Sequence, residues 1–232
     1  ISIENARFYE HMKQLNAAYQ KFVPYKFLNT IGHKGILNVN LGDYNQQQMT
    51  AIFSDIRDYT NLSEKMSPKE NFDFINSYLN TVGPVVEKHD GIVMQFIGDG
   101  ILSLFSNATN ALNAAIETQQ LVNEFNQRRI EDNKSPIGLG FGIHTGMMIL
   151  GIIGDDKRRQ AGVISSEINT VSRMEGLNKL YGTTVIISED TLSNIENPLD
   201  YNYRFLAKVQ VKGQEGIISI YEFFDGDIAE NI

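Results

Sequence analysis

The chain has no cysteine, no long apolar run and no excess of positive charge. Each absence removes a class of protein. Without cysteine there is no disulfide framework, no thiolate metal site and no cysteine nucleophile. The most apolar stretch, residues 147–153, falls far short of the ~20 residues a membrane-spanning helix needs. The N-terminus also lacks the basic-then-apolar pattern of an export signal, so a soluble, cytoplasmic chain is expected. A formal charge of −8 speaks against a nucleic-acid surface, which concentrates Lys and Arg to displace counterions from phosphates. Any phosphate ligand must therefore be held locally, in a pocket. Internal repeats and low-complexity segments are missing too, and 232 residues give room for one large domain whose core needs no staples.

What is present reads first as periodicity. Ile1, Phe8, Leu15 and Phe22 fall seven apart, with Met12 and Tyr19 four beyond Phe8 and Leu15. That is the a/d spacing of a coiled-coil stub, although an amphipathic helix folded back on its own domain has the same pattern. Pro24 stops it. The organisation predicted is a helix or coiled-coil stub over residues 1–24, a connector over 25–45, and one domain over 46–227.

Within that domain, strand and helix signals alternate. Residues 50–54 form a short apolar run ending at Asp55. Ser67, Pro68 and Glu70 combine an N-cap, a first-turn proline and a capping glutamate, opening a helix whose Ile75, Tyr78, Leu79, Val82 and Val86 share a face. Pro84 is expected to kink it. Residues 92–97 and 101–105 read as two strands joined by Gly98-Asp99-Gly100, a tight hairpin signal. Leu112, Ala115, Ile116, Gln119, Val122 and Phe125 mark a second long helix, residues 139–144 resume strand, and residues 185–188, 203–211 and 217–224 add later strands. The order β, α, β-hairpin, α, β predicts an α+β fold, a ferredoxin-like split βαβ sheet with its helices on one face.

This order brings two carboxylates together. Asp55 closes the first strand and Asp99 sits in the turn of the hairpin that lies beside it. Two carboxylates ~4 Å apart repel by about 4 kcal/mol at an effective dielectric of ~20, so the pair is costly unless a cation sits between them. Oxygen-only ligands suit Mg²⁺ or Mn²⁺. The plainer alternative is that Asp99 is only the Asp of an Asp-Gly turn and Asp55 a strand-end residue.

Four blocks then carry a family resemblance. Residues 53–60 (Phe-Ser-Asp-Ile-Arg-Asp-Tyr-Thr), 96–100 (Phe-Ile-Gly-Asp-Gly), 142–146 (Gly-Ile-His-Thr-Gly) and 169–176 (Asn-Thr-Val-Ser-Arg-Met-Glu-Gly) resemble, in order and spacing, the landmark blocks of class III nucleotidyl cyclases. The similarity runs from about residue 41 to about residue 227 and is closest to the cyclase domains at the C-termini of bacterial sensors. It implies that Asp55, Asp99 and the carbonyl of Ile56 hold two divalent ions, Mg²⁺ or Mn²⁺, per active site. It further implies that backbone amides near Tyr59 and Thr60 receive the triphosphate, that Asn169 positions the ribose, and that Arg173 stabilises charge developing on the α-phosphate. Lys212 matches a lysine that neutralises the terminal phosphates, and Lys157 and Arg158 lie in a loop that approaches them in relatives. The family divides these residues between two protomers, the metal aspartates on one and Asn169, Arg173 and Lys212 on the other. Since this chain carries both sets, the resemblance implies a homodimer with its active sites at the subunit interface and a nucleoside triphosphate as substrate.

Two departures bear on which base is read. Adenylyl cyclases carry Lys four residues before the second metal Asp and Asp or Thr eleven before the transition-state Arg; guanylyl cyclases carry Glu with Cys, Ser or Gly. Here those positions are Gln95 and Gly162, and Ser166 replaces an Asp common in the close bacterial relatives. Gln offers both a donor and an acceptor, and Gly offers only space. A pyrimidine cyclase, similar to the bacterial antiphage enzymes that make cyclic UMP or CMP, therefore ranks first. An adenylyl cyclase with an eroded selector follows, then a guanylyl cyclase. A catalytically silent module is disfavoured because Asp55, Asp99, Asn169 and Arg173 are all retained, and a diguanylate cyclase because no Gly-Gly-Asp/Glu-Glu-Phe loop occurs.

Overall fold

A computed structural model describes residues 3–210 and 216–227. The strands are β1 (Tyr44–Ile56), β2 (Ile92–Ile97), β3 (Gly100–Phe105), β4 (Leu139–Gly154), β5 (Arg159–Ile164), β6 (Val185–Ser188), β7 (Tyr203–Gln210) and β8 (Ile217–Phe223). The helices are α1 (Ile3–Gln20), α2 (Tyr25–Thr30), α3 (Tyr59–Ser63), α4 (Pro68–Lys88), α5 (Ala108–Glu131), α6 (Ser166–Tyr181) and α7 (Glu189–Leu192). The chain divides into two units, Ile1–Gln46 with Ile149–Ile164, and Gln47–Met148 with Ser165–Ile232.

The larger unit is built on a sheet of order β2-β3-β1-β4-β6-β8-β7. β1 pairs antiparallel with β3, Thr50 opposite Phe105 and Ser54 opposite Ile101, so the hairpin lies beside the first strand as its order predicts. α4 starts as the sequence signals: the Ser67 hydroxyl accepts from the Glu70 N–H at 3.3 Å and the Glu70 carboxylate accepts from the Ser67 N–H at 2.8 Å. It continues through Pro84 to Lys88. α4 and α5 bury Tyr78, Val82, Leu112 and Val122 against Ile52 of β1, Phe105 of β3, Phe141 and Ile143 of β4, and Val185 and Ile187 of β6.

α6 follows that core and covers the opposite face. Its Met174 clusters with Ile186 of β6 and Ile220 of β8, and Ile186 lies between two residues that point the other way. The close approach depends on missing side chains along β4. A Cβ on Gly142 would lie 2.3 Å from the carbonyl oxygen of Val171 and 2.6 Å from the amide nitrogen of Glu175. One on Gly140 would lie 2.2 Å from a Glu175 carboxylate oxygen.

In the smaller unit the second half of β4 forms an antiparallel hairpin with β5, from Ile149 opposite Ile164 to Gly154 opposite Arg159. Its turn closes on Asp155, whose Oδ1 accepts the N–H groups of Lys157 and Arg158, each at 2.7 Å. Phe27 and Leu28 of α2 are buried. The heptad-spaced residues of α1 are not: Phe8 is 69% exposed, Met12 46%, Leu15 39% and Tyr19 52%.

Candidate functional site

The two carboxylates singled out in the sequence meet in the larger unit. β1 delivers Asp55 one residue before its end. The β2–β3 turn reverses at Gly98, whose φ of 64° is in the region that favours glycine, and presents Asp99 beside β1. One main-chain donor serves both: the Ile56 N–H lies 3.1 Å from Oδ1 of Asp55 and 3.1 Å from Oδ2 of Asp99. Facing each other over that N–H, the two carboxyls repel when both are ionised, and a proton held by the pair relieves this. Burial first, then the bond to Asp99, then the charges of Asp99 and Glu175 push Asp55 up to about 8, against the opposing pull of the Ile56 N–H. Without metal, therefore, the pair holds a proton at neutral pH where a cation would relieve the same repulsion. No cluster of three or more His, Cys, Asp or Glu suited to a metal occurs among the described residues. The donors fitting a cation are two carboxylates and the Ile56 carbonyl, a hard oxygen set suited to Mg²⁺ or Mn²⁺.

Tyr59 and Thr60 open α3, whose first N–H groups have no partner within the helix. The Tyr59 hydroxyl donates to Asn71 at 2.5 Å and its ring stacks on Phe74 with centroids 6.3 Å apart. Asn169 and Arg173 are exposed on α6, four residues apart, and no hydrogen bond or ion pair among the described residues joins either to Asp55 or Asp99. Gln95 is exposed on β2, just after a break in register between Val93 and Gln95. In the smaller unit Gly162 is buried opposite Gly151. A Cβ there would lie 2.6 Å from Cδ1 and 2.8 Å from Cγ1 of Ile153. Lys157 and Arg158 are exposed in the β4–β5 turn, and Ser166 is exposed at the start of α6, its hydroxyl donating to Glu167 at 3.2 Å. Lys212 lies outside the described residues.

Two further sets of residues support the site and were not read from the sequence as such. Arg57, two residues after Asp55, donates to the Thr183 carbonyl at 2.8 Å and stands 3.8 Å from the Glu175 carboxylate of α6. This couples the end of β1 to the helix that carries Asn169 and Arg173. Burial raises the Glu175 carboxyl while the Arg57 charge lowers it. The second set is a buried polar chain. Thr50 meets Thr145 at 2.8 Å, Thr145 donates to Thr191 at 3.1 Å, Thr191 meets Ser188 at 3.1 Å and Ser188 meets His144 Nδ1 at 2.8 Å. His144 Nε2 then reaches Glu167 in the first turn of α6 at 2.6 Å. Arg57, His144 and Glu175 all lie within the landmark blocks, which was the one signal in the sequence that pointed to them, although it did not give their partners.

Comparison with known proteins points the same way. The family described as the adenylate and guanylate cyclase catalytic domain matches residues 42–223. An adenylate cyclase of Anabaena cylindrica is 38% identical over 92% of this chain, and the terminal-differentiation-specific adenylate cyclase of Dictyostelium discoideum is 34% identical over 94%. The chain spans only 44% and 10% of the lengths of those two relatives. Among solved structures, the guanylyl cyclase Cya2 is 31% identical, with a TM-score of 0.69 over 77% of this chain and 92% of that one.

Proposed function

We propose, since this chain belongs to the adenylate and guanylate cyclase catalytic domain family, that it closes ATP into 3′,5′-cyclic AMP with release of pyrophosphate. The single observation that carries a catalytic reading is the meeting of Asp55 and Asp99 over the shared N–H of Ile56, a costly pairing with a use only when a cation is bound. ATP is favoured over the pyrimidine triphosphates that rank first on Gln95 and Gly162 alone, because the two relatives sharing 38% and 34% of their residues with nearly the whole chain are adenylate cyclases.

In this reading the ribose 3′-oxygen attacks the α-phosphorus, the bond from that phosphorus to the β-phosphate bridge breaks, and pyrophosphate leaves with the electron pair. Cyclases of this class generally use divalent ions; two such ions, Mg²⁺ or Mn²⁺, held by Asp55, Asp99 and the Ile56 carbonyl, would ease loss of the 3′-hydroxyl proton and neutralise the phosphates. The N–H groups at the start of α3, Tyr59 and Thr60, donate to phosphate oxygens. Asn169 fixes the ribose, Arg173 faces the charge that grows on the α-phosphate, and Lys212 meets the terminal phosphates. Asn169 and Arg173 are exposed and unattached to the carboxylate pair in their own chain, which favours a site completed by a second copy. A cytoplasmic setting, where ATP and Mg²⁺ are plentiful, fits this reading.

A second reading keeps UTP or CTP as substrate, because Gln95 and Gly162 match neither purine-selecting pair. Incubating the full chain separately with ATP, GTP, CTP and UTP, with Mg²⁺ and with Mn²⁺, and identifying the cyclic products decides between them. Cyclic AMP as the main product is the outcome expected. A kcat/KM higher for UTP or CTP than for ATP reverses the order, and no cyclic product from any of the four leaves a silent module.

A further inference from the structure

A groove in the larger unit, between the first half of α4, the end of α5 and the loop that follows it, contains a cation that the chain does not neutralise. Arg129, in the last turn of α5, is 6% exposed. Its guanidinium carbon sits 4.7 Å from the centroid of the Phe74 ring and 5.9 Å from that of Phe125. Nε donates to the Ser135 carbonyl at 2.8 Å, which ties down the loop and occupies one of five donors. Among the described residues, no carboxylate lies within ion-pair distance of this guanidinium. Burial pulls it below its ordinary pKa with no acidic neighbour opposing.

Three acids line the groove, Glu70, Asp73 and Asp132, and none is paired with Arg129. Glu70 closes the α4 capping box, Asp132 pairs with Lys134 at 3.0 Å, and Asp73 is exposed. A buried charge without a counter-anion is costly, and ring stacking offsets only part of that cost. The groove has a volume of about 750 Å³ and includes Leu62, Met66, Phe74 and Phe125 on its apolar side, with Lys65 and Arg128 exposed at its rim. That volume is in the range of small-molecule sites, roughly 300–1,000 Å³. A planar guanidinium with free N–H groups matches a carboxylate two bonds at a time.

We propose that this groove binds a small organic anion, a carboxylate on an apolar body, with the carboxylate on the free edge of Arg129 and the body against Leu62, Met66 and the Phe74 ring. The site is separate from the Asp55–Asp99 pair and does not depend on which nucleotide the chain uses. Titration calorimetry of the full chain with phenylacetate, acetate and the neutral phenylacetamide tests it. Phenylacetate should bind saturably and about tenfold or more tighter than either control, because each control lacks one of the two contacts. Arg129→Lys, which keeps the charge and loses the fork, should weaken phenylacetate about tenfold. Met66→Glu, which places a carboxylate of the chain's own on the groove, should weaken it as much while leaving the melting temperature equal or higher. Should Arg129→Lys not fold, Met66→Glu decides alone. Phenylacetate binding no tighter than acetate, or binding unchanged in the folded groove variants, overturns the proposal.

Discussion

Replacing Asp55 by Asn keeps the side chain's shape and removes the charge that Asp99 opposes. Turnover should vanish, because the cation site loses a carboxylate, while the metal-free chain should fold as well or better. The pH dependence gives this a sign. An acid whose folded pKa, about 8, lies above its ordinary 3.8 keeps its proton in the folded chain after the unfolded chain has lost it, so its contribution to stability falls as pH rises through that interval. Thermal unfolding in the presence of a chelator should therefore show a downward slope between about pH 4 and pH 8 that Asp55→Asn reduces. Equal slopes in the two proteins would mean that the carboxylates do not share a proton.

Of the two positions proposed to read the base, Gly162 has Ile153 packed beside it. The space that the missing side chain leaves is filled by the Ile153 side chain, at 2.6 and 2.8 Å from where a Cβ would stand, so restoring an adenylyl-type selector is not a matter of one residue. Gly162→Thr with Gln95→Lys should lower activity, since a side chain must be displaced. Adding Ile153→Ala should recover ATP turnover and carry it several-fold above the double variant. Steady-state kcat/KM for ATP across the three proteins checks this, and a double variant that already gains activity would show that Ile153 yields freely.

At the scale of elements, α6 is held by contacts that need backbone on both sides. Gly142→Ala would drive a methyl into the Val171 carbonyl and the Glu175 N–H, neither of which can swing aside as a side-chain tip can. A loss of about 3 kcal/mol or more is expected, read by denaturant unfolding, with activity falling as α6 shifts. An unchanged midpoint would mean that α6 is free to move. The same glycines show what was legible. Ser67, Pro68 and Glu70 announced α4, and the β-branched run at residues 185–188 announced β6 at its observed bounds, because both signals are local. The reach of β1 back to Tyr44, the extension of β4 to Gly154 and the whole of β5 were not predicted. Gly151, Gly154 and Gly162 weaken any strand signal there, so the hairpin that β4 and β5 form through them left no local pattern to read. The placement of α6 on the far face was readable in principle from Gly140 and Gly142, since glycines two apart in a strand mark one face open to close approach. The carboxylate pair was legible because strand end and hairpin turn are both local signals. Arg57–Glu175 and His144–Glu167 were not, because their partners are brought together only by the packing of α6.

For the whole molecule, the arrangement of charges argues for two copies. Asp55 and Asp99 meet within one chain, whereas Asn169 and Arg173 stand exposed on α6 without a hydrogen bond or ion pair to them. α1 adds a row of exposed apolar residues at heptad spacing, Phe8, Met12, Leu15 and Tyr19, which a second copy could cover. If each active site takes its carboxylates from one protomer and its Asn169 and Arg173 from the other, an Asp55→Asn chain and an Arg173→Ala chain are each inactive alone but complementary together. In a mixed dimer one site carries both lesions and the other carries none. Equal mixing makes half the dimers mixed, each with one sound site of two, so about a quarter of the wild-type rate should return. The measurement is cyclic-nucleotide formation after subunit exchange, with exchange itself followed by mass-tagged chains. Mixed dimers that form and remain inactive would place all the catalytic residues of each site within a single chain.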